Sequence, residues 1–458
     1  MAGTMKWVVR LEAVFEDGRA SIVSEIGAVE RSDLQASPGM GFGLTLAEGK
    51  TLIAQLQSAI CQDQIQAAAR FDRVCRGCGT QRPHHDTRTR KVQTLFGKIV
   101  VGAPRFRACR CGLLHDPKLD RLDALIPGRT TAEFDNIAAE LGARHSFRDA
   151  AHILDLFVPT KKQHNHATVR SRLAAVSDQI AARDQKLPHR LARSTGEPPS
   201  VFIDGTFVRA LPGYQTRHFE VVMGRIDAKG QRSRHFATMP HVSAARCDTV
   251  RAVLRSQGWL PKQDITVFSD GDFSLVEVVR RASQAPLTHI LDWFHVSMRM
   301  QHLRQCCGSL VGANQSGEVE FRFLSEDMNG LRSALWCGRM RLARTYLHSA
   351  KRQLSRIASK EHSRAVTRKV QRLATMVEEF DNYLDINKSS MPNYAERSCA
   401  GLPVSSSRAE STANFLVNRR MNKRRQMRWS AIGAQRVLQA RVAVIDGRLI
   451  NGRLAIAA

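Results

Sequence analysis

The stretch between residues 201 and 291 limits the possible folds more than any other. Short apolar runs of strand length alternate there with segments of helical period. Val201–Ile203 is a β-branched and aromatic run that stops at Asp204. His218–Ile226 and Arg234–Met239 are two more strand candidates, and Asp227-Ala228-Lys229-Gly230 between them has hairpin-turn composition. Asp248–Ser256 reads as helix and Ile265–Phe268 as a strand stopping at Ser269-Asp270-Gly271. Phe273–Ala282 reads as helix and Thr288–Leu291 as a last strand.

Three strands, a helix, a strand, a helix and a strand is the order of a ribonuclease H-like α/β core. In that core Asp204 and Asp270 end adjacent strands, so their carboxylates converge. Carboxylates that close repel unless a cation lies between them. Mg²⁺ or Mn²⁺, two per site, suits oxygen ligands completed by a substrate phosphate. A third acid must come from elsewhere. Glu410 is the candidate, in the first turn of a helix expected to start near Arg408 after Ser405-Ser406-Ser407. Asn414 lies one turn on and Asn418 two, on the same face. Arg419, Arg420, Lys423, Arg424, Arg425 and Arg428 follow with no intervening acid, as cations for a DNA backbone would. Each feature alone has a plainer explanation: a turn residue, a helix-dipole acid, a solvated charged face. Their combination points to phosphodiester chemistry.

Composition agrees. The 458 residues suggest two to four domains, and 69 Lys+Arg against 42 Asp+Glu leave a net charge of +27, which calls for an anionic partner such as nucleic acid. Neither a signal peptide nor a membrane-length apolar run is visible, so the expectation is a cytoplasmic, nucleoid-associated protein without membrane contact. The ten cysteines then argue for metal binding over a disulfide framework. Cys75-Arg76-Gly77-Cys78 and Cys109-Arg110-Cys111 bracket a segment ending in strand-like Lys98–Val101 and Arg105–Ala108, a ribbon that can hold one structural Zn²⁺. The second pair has one residue between its thiols where two are usual, so His84, His85 or His115 could replace a thiol. Four unmetallated cysteines are the alternative.

Residues 132–185 read as helices. Ser146 is placed to cap one and Thr168 another, whose inner face is Val169, Leu173, Val176 and Ile180. A helix-turn-helix and a plain bundle both fit. Between residues 298 and 387 the chain is helical, with Val366, Val370, Leu373, Val377, Phe380 and Leu384 as one stripe. The expected organisation is a segment of unclear role (1–71), a zinc-ribbon-like region (72–118), a helical region (119–186) and a linker (187–200). The core's first part (201–297), an all-helical insertion (298–400) and the core's completion with a basic C-terminal region (401–458) follow. In sum this is an α+β multidomain chain: a ribonuclease H-like core interrupted by an all-α insertion, behind an N-terminal zinc ribbon and helical DNA-binding region.

Four stretches carry a family resemblance. They are Asp204-Gly205-Thr206 with Arg217–Arg225; Ser269-Asp270-Gly271; Ile290–Arg299, containing an Asp-x-x-His motif; and Gly401–Ser406 with Ala409-Glu410-Ser411 and Gln426–Ser430. In these the chain resembles bacterial insertion-sequence transposases of the ISKra type, within the Mutator-like group. The resemblance implies a DDE transposase that cleaves and joins DNA, with Asp204, Asp270 and Glu410 as catalytic acids and Mg²⁺ ligands. It implies double-stranded DNA (transposon ends and target) as partner and a homo-oligomer on that DNA. Asp292 and His295 match the Asp-x-x-His motif. They read as supports, His295 packing under the site and bonding Asp292, with direct catalysis the alternative. Leu335-Trp336-Cys337-Gly338 is similar to a Leu-Trp-His-Gly motif of the group, with Cys337 where the family has His. Two other functions share these features: a nuclease that cuts without joining, and a non-catalytic regulator descended from a transposase.

Overall fold

The computed structural model describes residues 4–16, 21–32, 43–111, 128–160, 163–186, 196–239, 246–311, 319–405, 414–422 and 427–455. The chain is mixed α+β and divides into two units. One holds Met1–Ile180 with Gly447–Ala455, the other Ala181–Asp446 with Ile456–Ala458.

In the first unit β1 (Thr4–Ala13) and β2 (Ile22–Ser32) form an antiparallel hairpin. Helix α1 (Leu46–Arg73) begins at Thr45, whose side chain accepts from Glu48 N while Glu48 reaches back to the Thr45 N–H. This reciprocal capping satisfies N–H groups that the first helical turn leaves open. A second hairpin follows. The strand-like runs expected at residues 98–101 and 105–108 lie in or just past one strand, β4 (Gly97–Phe106). Its partner is β3 (His84–Thr94), whose polar, charged sequence hid it. Val92, Ile99 and Val101 pack against Ile65 of α1. Helices α2 (Ala132–Arg144), α3 (Phe147–Phe157) and α4 (His166–Lys186) come next. Ser146 caps α3 by accepting from Asp149 N at 3.2 Å. Thr168 does not cap α4: the helix starts at His166, and Asn165 Oδ1 accepts from Ala167 N at 2.8 Å. The inner residues Val169, Leu173, Val176 and Ile180 are buried. A two-residue hairpin, Leu449–Ile450 with Arg453–Leu454, completes this unit through Asn136 Nδ2, which donates to Gly452 O at 3.0 Å.

The second unit is built on five strands: β5 (Ser200–Arg209), β6 (His218–Asp227), β7 (Arg234–Thr238), β8 (Ile265–Ser269) and β9 (Leu287–Leu291). Their order across the sheet is β7-β6-β5-β8-β9. β6 is antiparallel to both neighbours, whereas β5, β8 and β9 run parallel. Helices α5 (Arg246–Ser256) and α6 (Phe273–Ser283) bury Val201, Ile203 and Val267 on one face. Alternate residues point the other way. Phe202, Phe268 and Ile290 therefore join the core of a helical bundle, α7 (Trp293–Val311), α8 (Val319–Trp336), α9 (Met340–Ala358) and α10 (Arg364–Asn387). The six residues of the α10 stripe are buried. A short helix α11 (Tyr394–Cys399), a π-helix (Asn414–Asn422) and α12 (Ala431–Ile445) close the unit.

The structure corrects one strand end. β5 does not stop at Asp204 but continues to Arg209, because β6 pairs with it over all ten residues. Its parallel pairing with β8 ends at Phe202↔Phe268. Beyond that point β5 runs with β6 alone, and the sheet opens at Asp204.

Candidate active site and metal centre

The register of the parallel strands sets out a row of acids. Phe202 pairs with Phe268, so two residues on stand Asp204 and Asp270. Ser269 pairs with Leu291, so one residue on stand Asp270 and Asp292. Adjacent strands lie about 4.8 Å apart, and residues in step share a face. Asp204, Asp270 and Asp292 thus stand level on three neighbouring strands, on the face that Phe202 and Phe268 occupy below. Those two rings stack at 4.7 Å.

The three acids differ in setting. Asp204 is half-buried and accepts from Gly205 N at 2.8 Å. Burial pushes its carboxyl above the ordinary value of 3.8; nearby His295 and the Gly205 N–H oppose this, and Asp270 and Asp292 add to it. Asp270 begins a tight turn, accepting from Asp272 N at 3.0 Å, while Asp272 caps α6. Gly271 in that turn has φ +105°, and a Cβ there would meet the Asn387 amide at 2.8 Å. Glycine is needed on both counts. Asp292 is fully buried and accepts from Phe294 N at 2.9 Å at the start of α7. Its other oxygen lies 3.8 Å from His295 Nε2, which is ion-pair range and longer than the hydrogen bond expected.

The helical bundle grips the Asp270 turn. Tyr383 of α10 donates its hydroxyl to Asp270 O at 2.8 Å, and Arg299 of α7 lies 4.2 Å from the Tyr383 ring centre. His289 bridges Ser269 Oγ at 2.9 Å and Ser390 Oγ at 2.8 Å, and Ser269 Oγ also accepts from Gly271 N at 3.3 Å. Burial lowers the His289 pKa, which favours a neutral ring with one donor and one acceptor nitrogen. None of these supports was read from the sequence. His289 lies inside an expected strand, and Tyr383 and Asn387 are distant in sequence from the acids they brace.

Glu410, Lys423, Arg424 and Arg425 lie outside the described residues. On either side of Glu410 the chain is anchored. Val404 O accepts from Trp293 N at 3.2 Å, next to Asp292. The π-helix 414–422 is fixed to β5 by Asn422 Nδ2, which donates to Phe207 O at 2.7 Å. Asn414 accepts from Asn418 at 3.0 Å. Arg419 is exposed and lies 4.1 Å from the Phe415 ring centre; Arg428 is exposed too. Arg420 is 5% exposed, and its guanidinium packs at Trp429 and Met427. The expected α-helical spacing does not hold in a π-helix, where bonds run from i to i+5 and side chains rotate to other faces. Cys337 is half-buried, and nothing in the structure explains it in place of histidine. Gly338 after it has φ +67°, and a Cβ there would meet the Asn393 backbone at 2.9 Å.

The cysteines converge in the first unit. Cys75 Sγ lies 3.6 Å from Cys111 Sγ, and Cys78 Sγ 3.4 Å from Cys109 Sγ. All four sulfurs fall within 4.8 Å of one another. Tetrahedral zinc with Zn–S bonds of about 2.3 Å puts sulfurs about 3.8 Å apart, so the set could hold one zinc ion. The first pair sits on a turn in which Gly79 N donates to Cys75 O at 2.9 Å, with Gly79 at φ +73°. Arg82 draws the second pair in by donating to Phe106 O, Arg107 O and Asp72 O. His84 is not a ligand; its Nε2 lies 3.2 Å from Thr87 Oγ1. His85 is outside the cluster too, and His115 lies outside the described residues. Among the described residues no other group of three His, Cys, Asp or Glu ligands converges this closely. No described helix is long and apolar enough to cross a membrane.

No family model matches the chain, and no curated protein matches it. Among solved structures it is similar to the Drosophila P element transposase strand transfer complex, at 11% identity and a TM-score of 0.24, over 69% of this chain and 79% of that one. A likeness so faint bears on neither fold nor function, which rest on the residues themselves.

Proposed function

We propose that the protein is a DDE transposase that cleaves DNA and transfers the cut strand. The observation that carries this reading is the register that sets Asp204 level with Asp270 where the sheet opens. The order β7-β6-β5-β8-β9 with β6 antiparallel supports reading the sheet as a ribonuclease H-like core and α7–α10 as its helical insertion. On this reading Asp204, Asp270 and Glu410 hold two Mg²⁺ or Mn²⁺ ions. The donor set fits hard cations: all oxygen, and one carboxyl raised by burial and by its neighbours. Two such ions would supply an activated attacking oxygen and a stabilised leaving oxygen. Glu410 is supported as third acid because its flanks attach beside Asp292, at Trp293, and to β5, which carries Asp204. Asp292, buried and tied to the α7 N-terminus, orients that end of the row. His295 lies close enough to Asp204 to oppose the rise in its pKa, and supports the row from that side. Arg419, Arg428, Lys423, Arg424 and Arg425 would hold the strand being cut, whereas Arg420 serves packing. The zinc cluster and the helices α2–α4 would form a DNA-binding region, and assembly on DNA as a homo-oligomer follows from pairing two ends.

The test is a cleavage and strand-transfer assay with Mg²⁺ on DNA carrying the flanking repeats. Asp204→Ala, Asp270→Ala and Glu410→Ala should each abolish both steps, by at least about 1,000-fold, and leave DNA binding largely intact. Cutting without joining by the wild type would make it a nuclease. Binding without cutting would make it a regulator.

A further inference from the structure

The hairpin of α9 and α10 carries its charge in blocks. Helix α9 has Arg341, Arg344, Lys351, Arg352 and Arg356 and neither Asp nor Glu. Helix α10 has only cations in its first half, Arg364 to Arg372, and only acids in its second, Glu378 to Asp385. Where acids face α9 they are used: Asp385 pairs with Arg344, and Lys351 lies 2.7 Å from Glu378 and 2.6 Å from Asp381. At the other end Arg356, Arg364, Arg368 and Arg372 are exposed, with no acidic partner among the described residues.

We propose that this end is a docking surface for the phosphate backbone of duplex DNA. Three features favour a polyanion over a merely solvated face. The other half of the same hairpin neutralises its charge, whereas here Arg356, Arg364, Arg368 and Arg372 outnumber Glu361, the acid in the loop between the two helices, and the excess positive charge repels itself unless an anion screens it. Arg364, Arg368 and Arg372 follow steps of four, about 160° from the buried Val366–Val370–Leu373 stripe, so they form one outward ridge. Arg364 also sits in the first turn of α10, which has no acid; a cation there opposes the helix dipole, while an anion is favoured by it. Lys369 holds the ridge in place, donating to Ser309 O at 2.9 Å.

The ridge is also correctly distant. Tyr383, on the same helix, touches Asp270. From Tyr383 back to Arg372 and Arg364 is about 16 to 28 Å along the helix. That corresponds to roughly five to eight nucleotides of a strand with one phosphate per 3.4 Å. Only this distance from the cut rests on the proposed function; the surface itself does not.

The experiment compares full-length Asp204→Ala protein with the same protein carrying Arg356, Arg364, Arg368 and Arg372 all changed to Gln. Affinity for a 40-base-pair duplex is titrated against salt, without divalent metal. The ridge predicts that the quadruple variant flattens the log K against log salt slope by about three to four units. Between 50 and 200 mM salt, the parent should then lose roughly 100-fold more affinity than the variant. Unchanged melting and helicity would exclude unfolding. Equal slopes would overturn the proposal, and so would loss of binding to anionic phospholipid vesicles with DNA binding untouched. Because cleavage is not read, failure of the transposase assignment would leave this result standing.

Discussion

Asp204 shows what the row of acids costs. Burial, then the carboxylates of Asp270 and Asp292, raise its pKa above 3.8, so the folded state holds this proton more tightly than the unfolded chain does. Its contribution to stability is complete below the unfolded value of 3.8 and is lost as pH rises through the raised one. Asp204→Asn keeps an oxygen for the Gly205 N–H and discards the charge. It should melt above the wild type at pH 7 without added Mg²⁺, and the gap should narrow as pH falls toward 4. Melting curves across that range check it, and identical curves at pH 7 would mean the charge is held without cost. Asp204 and Asp270 were legible because each follows a strand-like run and precedes glycine. That Asp292 stands level with them was not, since parallel register depends on which strands become neighbours.

Helix α10 shows the same divide at the scale of an element. Its stripe from Val366 to Leu384 was readable because burial of one face imposes a helical period. Its end at Asn387 was readable as well, but what that end touches was not. Tyr383 and Asn387 lie past the middle of α10 and meet a turn more than 100 residues earlier, Tyr383 bonding Asp270 O across 113 residues. The strands β6, β8 and β9 and the helix α6 were legible within a residue or two, whereas β3 was not, its charged residues masking its alternation. The π-helix was hidden too, since residue preferences do not separate it from an α-helix. Tyr383→Phe should remove one hydrogen bond, about 1 kcal/mol, and leave the ring under Arg299. If the bond positions Asp270 through its backbone, strand cleavage should slow by up to about tenfold with DNA affinity unchanged. Kinetics in which KM for DNA rises and kcat holds would assign Tyr383 to binding instead.

For the whole molecule, zinc and the acids are separate matters, lying in different units. Purified protein should carry about one zinc per chain, lost in Cys75→Ser/Cys78→Ser. Hydrogen exchange should then quicken in β3, β4 and the Cys turns while the amides of β5, β8 and β9 stay protected. Zinc absent from the wild type, or retained by the variant, would refute the metal centre. The four thiols were visible in the sequence, but the one-residue spacing of the second pair left histidines in contention. Arg82 and the β3–β4 register, which bring that pair home, required the fold.

The hairpin at Leu449–Leu454 completes the first unit, with Gly452 seated against Glu133 and Ile137 and Asn451 N donating to Glu140 at 2.9 Å. The first unit is thus written in two pieces, with the whole of Ala181–Asp446 translated between them. At about 5–20 residues per second, helix α2 waits on the order of half a minute at the ribosome for the partner that covers it. Residues 181–446 are therefore all synthesised before the first unit can close, although its first piece precedes them in the reading frame.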